Sequence, residues 1–279
     1  MRAALTRCTV AAALASATLS SHAWAYQEKG EERVDYTAYT LRPWEVSLGP
    51  FKAEAGFPGG LMIGTYLPTW AAGPLVDVTI PTGFLKLRDP FEGPVAGSAR
   101  VGVIYIDGAS LAAEVTENKG SKASLLVVPL EAALSARYHP VVSQSLLFTY
   151  VFVSAGGREG SDASLRGAAG VSNFTVSTML EFRVTHVLAV TLLARVLAHQ
   201  GNAHVTARFS QGSTTVDADL GARPRQQEFV ACAIPGVAFS WEHVNLHLGL
   251  GYGTWWLPIV ELPLTTPQII PDLSLYVRF

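Results

Sequence analysis

The residues best suited to acid–base or metal chemistry in this chain are four histidines, His186, His204, His243 and His247. A serine nucleophile needs a base within hydrogen-bond reach, but no G-x-S-x-G motif accompanies them. His243 and His247 stand four residues apart, a spacing that suits one metal ion on a helix. On a strand the same spacing separates them by about 13 Å on one face, which is too far for a shared ion. The sequence therefore predicts no catalytic residue, no metal site and no cofactor.

The cysteines, the glycines and the net charge add no chemical site. Cys232 is the only cysteine beyond residue 25, which excludes an intramolecular disulfide or a cysteine-based metal site in that part of the chain. Gly249, Gly251 and Gly253 form a G-x-G-x-G run that no helical pattern follows, and on a strand such glycines indicate close packing or curvature. The net charge is −2 and no basic run occurs, so the sequence predicts no nucleic-acid partner.

The first 25 residues have the three parts of a secretory signal peptide. Arg2 and Arg7 charge its start, residues 8–21 are apolar and uncharged, and Ala23-Trp-Ala25 supplies a small-residue cleavage site. The apolar part is shorter than the about 18 residues expected of a membrane-spanning helix. We therefore expect export, cleavage after Ala25, and a polar, flexible periplasmic segment over residues 26–42.

Beyond residue 42 the dominant pattern is alternation with period two, which is typical of strands with one apolar face. In residues 244–253 the apolar side chains of Val244, Leu246, Leu248, Leu250 and Tyr252 alternate with polar residues or glycine. Residues 126–138 and 174–184 alternate in the same way, over lengths near the about 9–11 residues of a tilted transmembrane strand. Only 15% of residues are charged and the mean hydropathy is +0.28, which suits a barrel with lipid outside and water inside.

Two segments without Asp, Glu, Lys or Arg, residues 138–157 and 243–260, offer transmembrane helices as the alternative. In hydrocarbon the backbone must satisfy its own hydrogen bonds, so only helices and closed barrels can span. The strict alternation and the β-branched and aromatic run at 148–153 favour the barrel.

Short and long connections alternate along the chain, as expected for periplasmic turns and outer loops. Tight turns fall at 89–93, 139–142, 185–186 and 242–243, and longer polar connections at 107–121, 156–165, 200–226 and 258–272. The predicted strands are 45–56, 61–70, 75–88, 95–106, 122–138, 144–156, 167–184, 186–198, 226–241, 244–257 and 272–279.

This strand count is odd, whereas bacterial single-chain barrels have an even number. One strand is therefore missing or in excess, and residues 200–226 or 35–41 are the candidates for a further one. The alternation changes phase near Pro50, which indicates a β-bulge there. We predict an all-β fold, a transmembrane antiparallel up-and-down barrel over residues 43–279 with about 12 strands, or alternatively 10.

If the apolar faces contact lipid, the opposite faces line the lumen. An Arg or Lys on the lipid side at the bilayer midplane would cost about 2–4 kcal/mol, so the charged strand residues are placed inward. The predicted lumen-lining residues are Lys52, Glu54, Lys86, Arg88, Arg100, Glu131, Arg137, Glu181, Arg183, Arg195, His247 and Arg278. They could line a water-filled pore or pair across a narrow lumen as structural contacts, and both alternatives stay open at this point.

Residues 272–279 alternate between apolar Leu273, Leu275, Val277 and Phe279 and polar Ser274, Tyr276 and Arg278. This segment resembles the terminal strand of Gram-negative outer-membrane β-barrels, whose C-terminal aromatic and alternating apolar residues are read by the barrel-assembly machinery. The signal peptide and the strand pattern make the whole chain similar to uncharacterised small barrels of that kind. The resemblance implies a monomer in the outer membrane of a Gram-negative bacterium, with outer-membrane lipids and, during biogenesis, the assembly machinery as partners.

Three functions follow as hypotheses. The polar, charged lumen-facing set favours a passive channel or a transport-related, porin-like barrel for small solutes. The long segment 200–226, rich in Ser, Thr, Arg and Gly, indicates as the alternative a structural or surface-interaction barrel that acts through its outer loops. A lipid-modifying enzyme rests on scattered His and Ser alone, so we expect that the chain is not an enzyme.

Overall fold

The computed structural model describes residues 33–69, 80–89, 95–107, 122–159, 163–201, 203–211, 214–222, 230–241, 243–257 and 262–279. It contains 14 strands, one short 3-10 turn, Pro58–Gly60, and helical residues at 67–69. The strands are β1 Val46–Leu48, β2 Lys52–Phe57, β3 Leu61–Tyr66, β4 Thr82–Arg88, β5 Val95–Asp107, β6 Lys122–His139, β7 Val142–Glu159, β8 Ala163–Arg183, β9 Leu188–Gln200, β10 Ala203–Gln211, β11 Thr214–Ala222, β12 Ala231–Ser240, β13 Val244–Leu257 and β14 Leu262–Arg278. No helix within these ranges is long and apolar enough to cross a membrane.

Twelve of the strands close into one antiparallel barrel. Consecutive strands pair from β1 to β9, the ring continues through β12, β13 and β14, and β14 pairs with β1 to complete it. The remaining two strands, β10 and β11, form a hairpin that joins the outer part of β8 through residues 163–170. The predicted all-β barrel of about 12 strands is thus confirmed, and the alternative of 10 is not what the chain forms.

The alternation read from the sequence decides which side of each strand faces outward. Along β13, Leu248, Leu250 and Tyr252 are exposed on the outside, at 43%, 64% and 66%, whereas the intervening His247 is 4% exposed. The outside of the barrel is therefore apolar, as lipid contact requires. Buried apolar residues form four clusters inside the barrel: three of them involve residues 34–41, and the fourth joins Ile104, Val127, Val151 and Val153 of the strands.

The twelfth strand of the barrel lies in residues 45–56, where the sequence prediction was wrong. Residues 45–56, predicted as one strand with a bulge near Pro50, are two strands, β1 and β2, which reverse at residues 49–51. The amide of Gly49 donates to the carbonyl of Lys52 at 2.9 Å and closes the turn. A side chain at Gly49 would meet the Leu275 carbonyl oxygen at 2.2 Å, so only glycine lets the chain reverse this close to β14.

Several further boundaries differ from the prediction, among them the ends of the predicted strands 61–70, 75–88 and 226–241, which form β3, β4 and β12 over shorter ranges. Residues 200–226 contain the β10–β11 hairpin instead of a twelfth barrel strand. β7 and β8 extend through most of the predicted connection 156–165. β14 begins at Leu262 instead of residue 272. The sequence prediction excluded residues 262–271 because prolines at 263, 267 and 271 are unusual in strands, but this segment pairs with β13 on one side.

The prediction of a signal peptide over residues 1–25 lies outside the described residues, as does the part 26–32 of the predicted periplasmic segment. Residues 33–42, predicted as flexible lead-in, are instead packed inside the barrel, where Val34, Ala38 and Leu41 are at most 5% exposed. The physical reason for the difference is the hydrophobic effect: inside the barrel the apolar and aromatic side chains of this segment contact other apolar side chains instead of water.

Candidate functional site

The candidate site is the barrel lumen, and its main feature is the segment of residues 33–42, here named the plug. Val34 and Leu41 of the plug pack with Met62 and Phe84 on β3 and β4. Tyr36 contacts the apolar clusters on the opposite wall, around Leu193. The plug therefore crosses the lumen from one wall to the other.

Lys86 on β4 fixes the middle of the plug. Its ammonium donates hydrogen bonds to the carbonyl oxygens of Val34, Thr37 and Tyr39, at 3.3, 2.8 and 2.7 Å. A lysine has three donors and no acceptor, so these three bonds use its whole capacity. Lys86 is 3% exposed, and the sequence had placed it on the lumen side without indicating a partner.

Lys52 on β2 holds the start of the plug through an ion pair with Asp35. Its ammonium also lies 2.7 Å from Glu54, and the Ser274 hydroxyl donates to the second Asp35 oxygen at 3.2 Å. Burial alone would raise the pKa of Asp35, but the charges of Lys52 and Arg33 and the hydrogen bonds outweigh it. The pKa of Asp35 therefore lies below its ordinary value, and the carboxylate is charged at neutral pH.

Four arginines of the wall lie over aromatic rings, namely Arg88, Arg100, Arg195 and Arg278. The Arg195 guanidinium lies 5.9 Å from the ring centre of Tyr36, and that of Arg88 lies 5.2 Å from Tyr39, so both hold plug tyrosines. Arg100 lies 4.3 Å from the Phe84 ring, donates to the Tyr66 hydroxyl and is 3.9 Å from Glu131. These cation–π contacts let the lumen keep charges beside apolar side chains.

The other predicted lumen residues also lie on the inner face, away from the plug's centre. Arg183 and Glu181 on β8 form an ion pair at 3.1 Å. His247 shares a hydrogen bond of 3.0 Å with the Thr191 hydroxyl and lies 3.5 Å from Asp272. Arg278 donates to the Tyr276 hydroxyl at 3.3 Å, and Arg137 occupies an inward position of β6.

Next to the plug lies a cavity of about 680 Å³ that combines apolar and charged walls. Its apolar side chains include Met62, Phe84, Leu147, Leu193, Ile234 and Ile270. Its charged residues include Lys52, Lys86, Arg100 and Arg195, together with Asp35, Glu54, Glu131 and Asp272. The formal charges are equal in number, four of each sign, and apolar side chains lie between them.

The sequence prediction missed the plug residues and Asp272. A signal was present, since residues 34–41 contain five apolar or aromatic positions separated by three short polar ones, and residues 35–41 had been considered as a strand. The described residues contain no cluster of His, Cys, Asp or Glu that could hold a metal ion. Cys232 keeps its thiol and lines the cavity.

The fold and site together define the class of this protein: a closed 12-stranded barrel, apolar outside, with a segment of its own chain across the lumen. No protein-family description matches the chain, and no curated protein matches it significantly.

Several solved structures have a similar fold. The translocator domain of autotransporter NalP from Neisseria meningitidis matches with a TM-score of 0.46 and 11% identity, over 83% of this chain and 73% of that chain. The TodX deltaS2S3 mutant monoaromatic hydrocarbon channel matches with a TM-score of 0.42 and 10% identity, over 81% and 67%. CdiB from Acinetobacter baumannii matches with a TM-score of 0.32 and 10% identity, over 84% and 59%. At these values the likeness concerns the barrel fold alone.

Proposed function

We propose that this chain is a transport-related barrel of the Gram-negative outer membrane whose lumen is closed at rest by the plug. The apolar outer surface and the polar, charged inner surface support a transmembrane barrel. The predicted signal peptide supports export. The sequence hypothesis included a permanently open, porin-like pore, and the plug across the lumen argues against that part of it.

The observation that carries this proposal is the anchorage of the plug by Lys86. Three carbonyl oxygens, of Val34, Thr37 and Tyr39, converge on one buried ammonium. Leaving a buried acceptor without a partner costs about 1–3 kcal/mol, so the plug loses much of its binding energy if this ammonium is removed. The same contacts could be broken reversibly during transport.

The test is single-channel conductance in planar bilayers with the variant Lys86→Met. We expect brief or no conductance steps from the unaltered protein and discrete steps from Lys86→Met, with an open probability at least about tenfold higher. Lys86→Arg keeps a charged donor and serves as the matched control, which we expect to remain mostly closed.

Heat-modifiable mobility on gels must first show that each variant is a folded barrel. Steady, long-lived conductance of the unaltered protein would contradict a closed resting state. A folded Lys86→Met that stays as silent as the control would contradict the role of the plug as the barrier.

The proposal extends to assembly and partners. Leu273 and Leu275 are exposed on the outer face of β14, at 51% and 40%, and Val277 lies on the same face; Phe279, directly after β14, is 71% exposed. This accessible row supports the hypothesis that these four residues are an assembly signal for the barrel-assembly machinery. We propose a monomer that contacts outer-membrane lipids and small solutes.

A second candidate function is interaction at the cell surface. It is favoured by the β10–β11 hairpin, which pairs with the outer part of β8 and takes no part in closing the barrel. Neither candidate assigns a catalytic role, and the expectation that the chain is not an enzyme stays a prediction.

A further inference from the structure

Among the described residues, the barrel wall is short on one side. β1, β2, β3 and β4 contain 3, 6, 6 and 7 residues, whereas a strand needs about 9–11 to cross the hydrocarbon region. The neighbouring β14 contains 17 residues. Within the part of the chain that the structure describes, the outer half of the wall beside β14 is therefore not built by β1–β4.

The edge of β14 that faces β1 is paired over a short length. The registered pairs are Ser47 with Arg278 and Leu48 with Val277, and β1 then turns away at Gly49 beside Leu275. On its other side β14 pairs with β13 along almost its whole length. Among the described strands, none pairs with the β1-facing edge of β14 from Ser274 outward.

Two prolines show that the sequence suits an edge without a partner strand. The backbones of Val46 and Phe279 exchange hydrogen bonds of 3.2 and 3.0 Å, whereas the Arg278 amide donates to His243 at 2.8 Å. Odd-numbered residues of β14 thus direct their backbone groups towards β1, and the register holds without a shift from Val277 to Pro267. Pro267 and Pro271 therefore place their missing N–H groups on the open edge, which opposes pairing with any added strand.

The lumenal cavity reaches this gap. Its lining includes Phe51, at the top of the β1–β2 turn, and Leu273 and Pro271, which belong to the outward face of β14. Phe51 is 43% and Leu273 is 51% exposed, so both contact the surroundings of the barrel as well as the cavity. Among the described residues, the cavity therefore extends to the gap beside β14.

We infer that the gap between Phe51 and Leu273 is a side opening, through which a small apolar molecule passes between the lumenal cavity and the hydrocarbon of the membrane. This inference rests on the proposed transport function and adds the substrate class and the route. The occupant carries no net charge and is largely apolar, because the cavity wall holds equal numbers of both signs beside Leu193, Ile234 and Ile270, and because lipid lies outside. The cavity volume of about 680 Å³ lies in the range of about 300–1,000 Å³ that is usual for small-molecule sites.

Cys232 provides a native reporter of access, because it lines the same cavity and is 7% exposed. The experiment uses the full chain with Cys8→Ser, reconstituted in phospholipid vesicles, and measures the rate at which Cys232 reacts with N-phenylmaleimide, an apolar reagent. A charged thiosulfonate that stays in water is the second reagent. Each rate is divided by the rate of the same reagent with the unfolded chain.

We expect Phe51→Ala, which widens the opening, to raise the rate of the apolar reagent severalfold, and Phe51→Trp, which narrows it, to lower the rate. Leu192→Trp is the matched control, because Leu192 is 39% exposed on the outer face of the far wall. The control should leave the rate unchanged, and the charged reagent should respond to neither Phe51 variant.

Equal rates for the apolar reagent in folded Phe51→Ala, Phe51→Trp and the control would overturn the side opening and indicate access along the barrel axis. A thiol that stays unreactive in both the unaltered chain and Phe51→Ala would overturn it as well. The conductance test of Lys86→Met is independent of these rates. If Lys86→Met is silent while Phe51 controls labelling, the plug proposal fails and the side opening stands.

Discussion

At the scale of single residues, the charged side chains of the lumen are arranged as partners of the plug. Lys86 binds three plug carbonyls, Lys52 binds Asp35, and Arg195 and Arg88 lie over two plug tyrosines. The sequence predicted that these cations face inward but left open whether they line water or form structural contacts. The contacts on the plug favour the structural alternative for these four residues.

Removal of the Asp35 charge tests the ion pair at the start of the plug. Asp35→Asn leaves the Lys52 ammonium with Glu54 and should weaken plug binding by about 1.5–3 kcal/mol, the usual range for a hydrogen bond to a charged group. We expect a higher open probability in planar bilayers at pH 7. Glu45→Gln is the control, because Glu45 accepts a hydrogen bond from the Arg42 amide at the exposed end of the segment.

The pH dependence of this contact has a definite sign. The pKa of Asp35 is lowered by folding, so its contribution to plug binding is complete above the ordinary value near 4 and is lost as the pH falls further. We expect the unaltered barrel to stay closed from pH 7 to about 5 and to open increasingly in stronger acid. Asp35→Asn should lack this part of the change, and an identical acid response in both proteins would contradict the assignment.

At the scale of elements, prolines and glycine decide where the wall is complete. Gly49 and Pro50 convert one predicted strand into the β1–β2 reversal, and Pro267 and Pro271 lie on the edge of β14 that lacks a partner among the described strands. Period-2 alternation identifies strand faces, but it carries no information about which edge of a strand is paired. The register between β13 and β14 decides which residues of β14 lie on its paired edge and which lie on its open edge.

Neighbouring positions on β14 allow the edge assignment to be tested directly. Ile269→Pro places its missing N–H on the open edge, so we expect little change in stability. Gln268→Pro removes a donor on the β13 side, where Gln268 lies opposite Gly253, and should cost at least about 0.5–1.5 kcal/mol. Urea titration of heat-modifiable mobility measures both, and equal destabilisation would contradict an open edge.

At the scale of the whole molecule, the barrel closes without the β10–β11 hairpin. β8 pairs with β9 from Asn173 to Arg183, and this seam joins the first eight strands to the last four of the ring. The hairpin uses the remaining, outer part of β8. Closure and the outer hairpin are therefore separate features of the same long strand.

Replacement of residues 203–222 by a short Gly-Ser linker tests this separation. Because the β8–β9 seam is untouched, we expect a folded barrel with unchanged gel mobility and conductance. Loss of the folded form would contradict the separation. A folded variant that has lost binding at the cell surface or envelope integrity would support the second candidate function.

The sequence by itself determined the class of fold. Alternation of apolar and polar residues marks two faces on every strand, and charges cannot face lipid, so a barrel with an apolar outside and a charged inside follows from local pattern and solvation energy. The inward positions of Lys52, Lys86 and Arg195 follow from the same reasoning.

The tertiary structure alone decided which strands are neighbours, where the described part of the wall is short, and that residues 33–42 cross the lumen. These features depend on contacts between residues far apart in the chain, such as Lys86 with Tyr39, Asp35 with Ser274, and Gly49 with Leu275. The alternation of apolar and polar residues reflects only the environment on each face of a strand. It is therefore the same whether or not a distant residue contacts that strand. The plug and the open edge therefore depend on contacts that exist only once the barrel has closed.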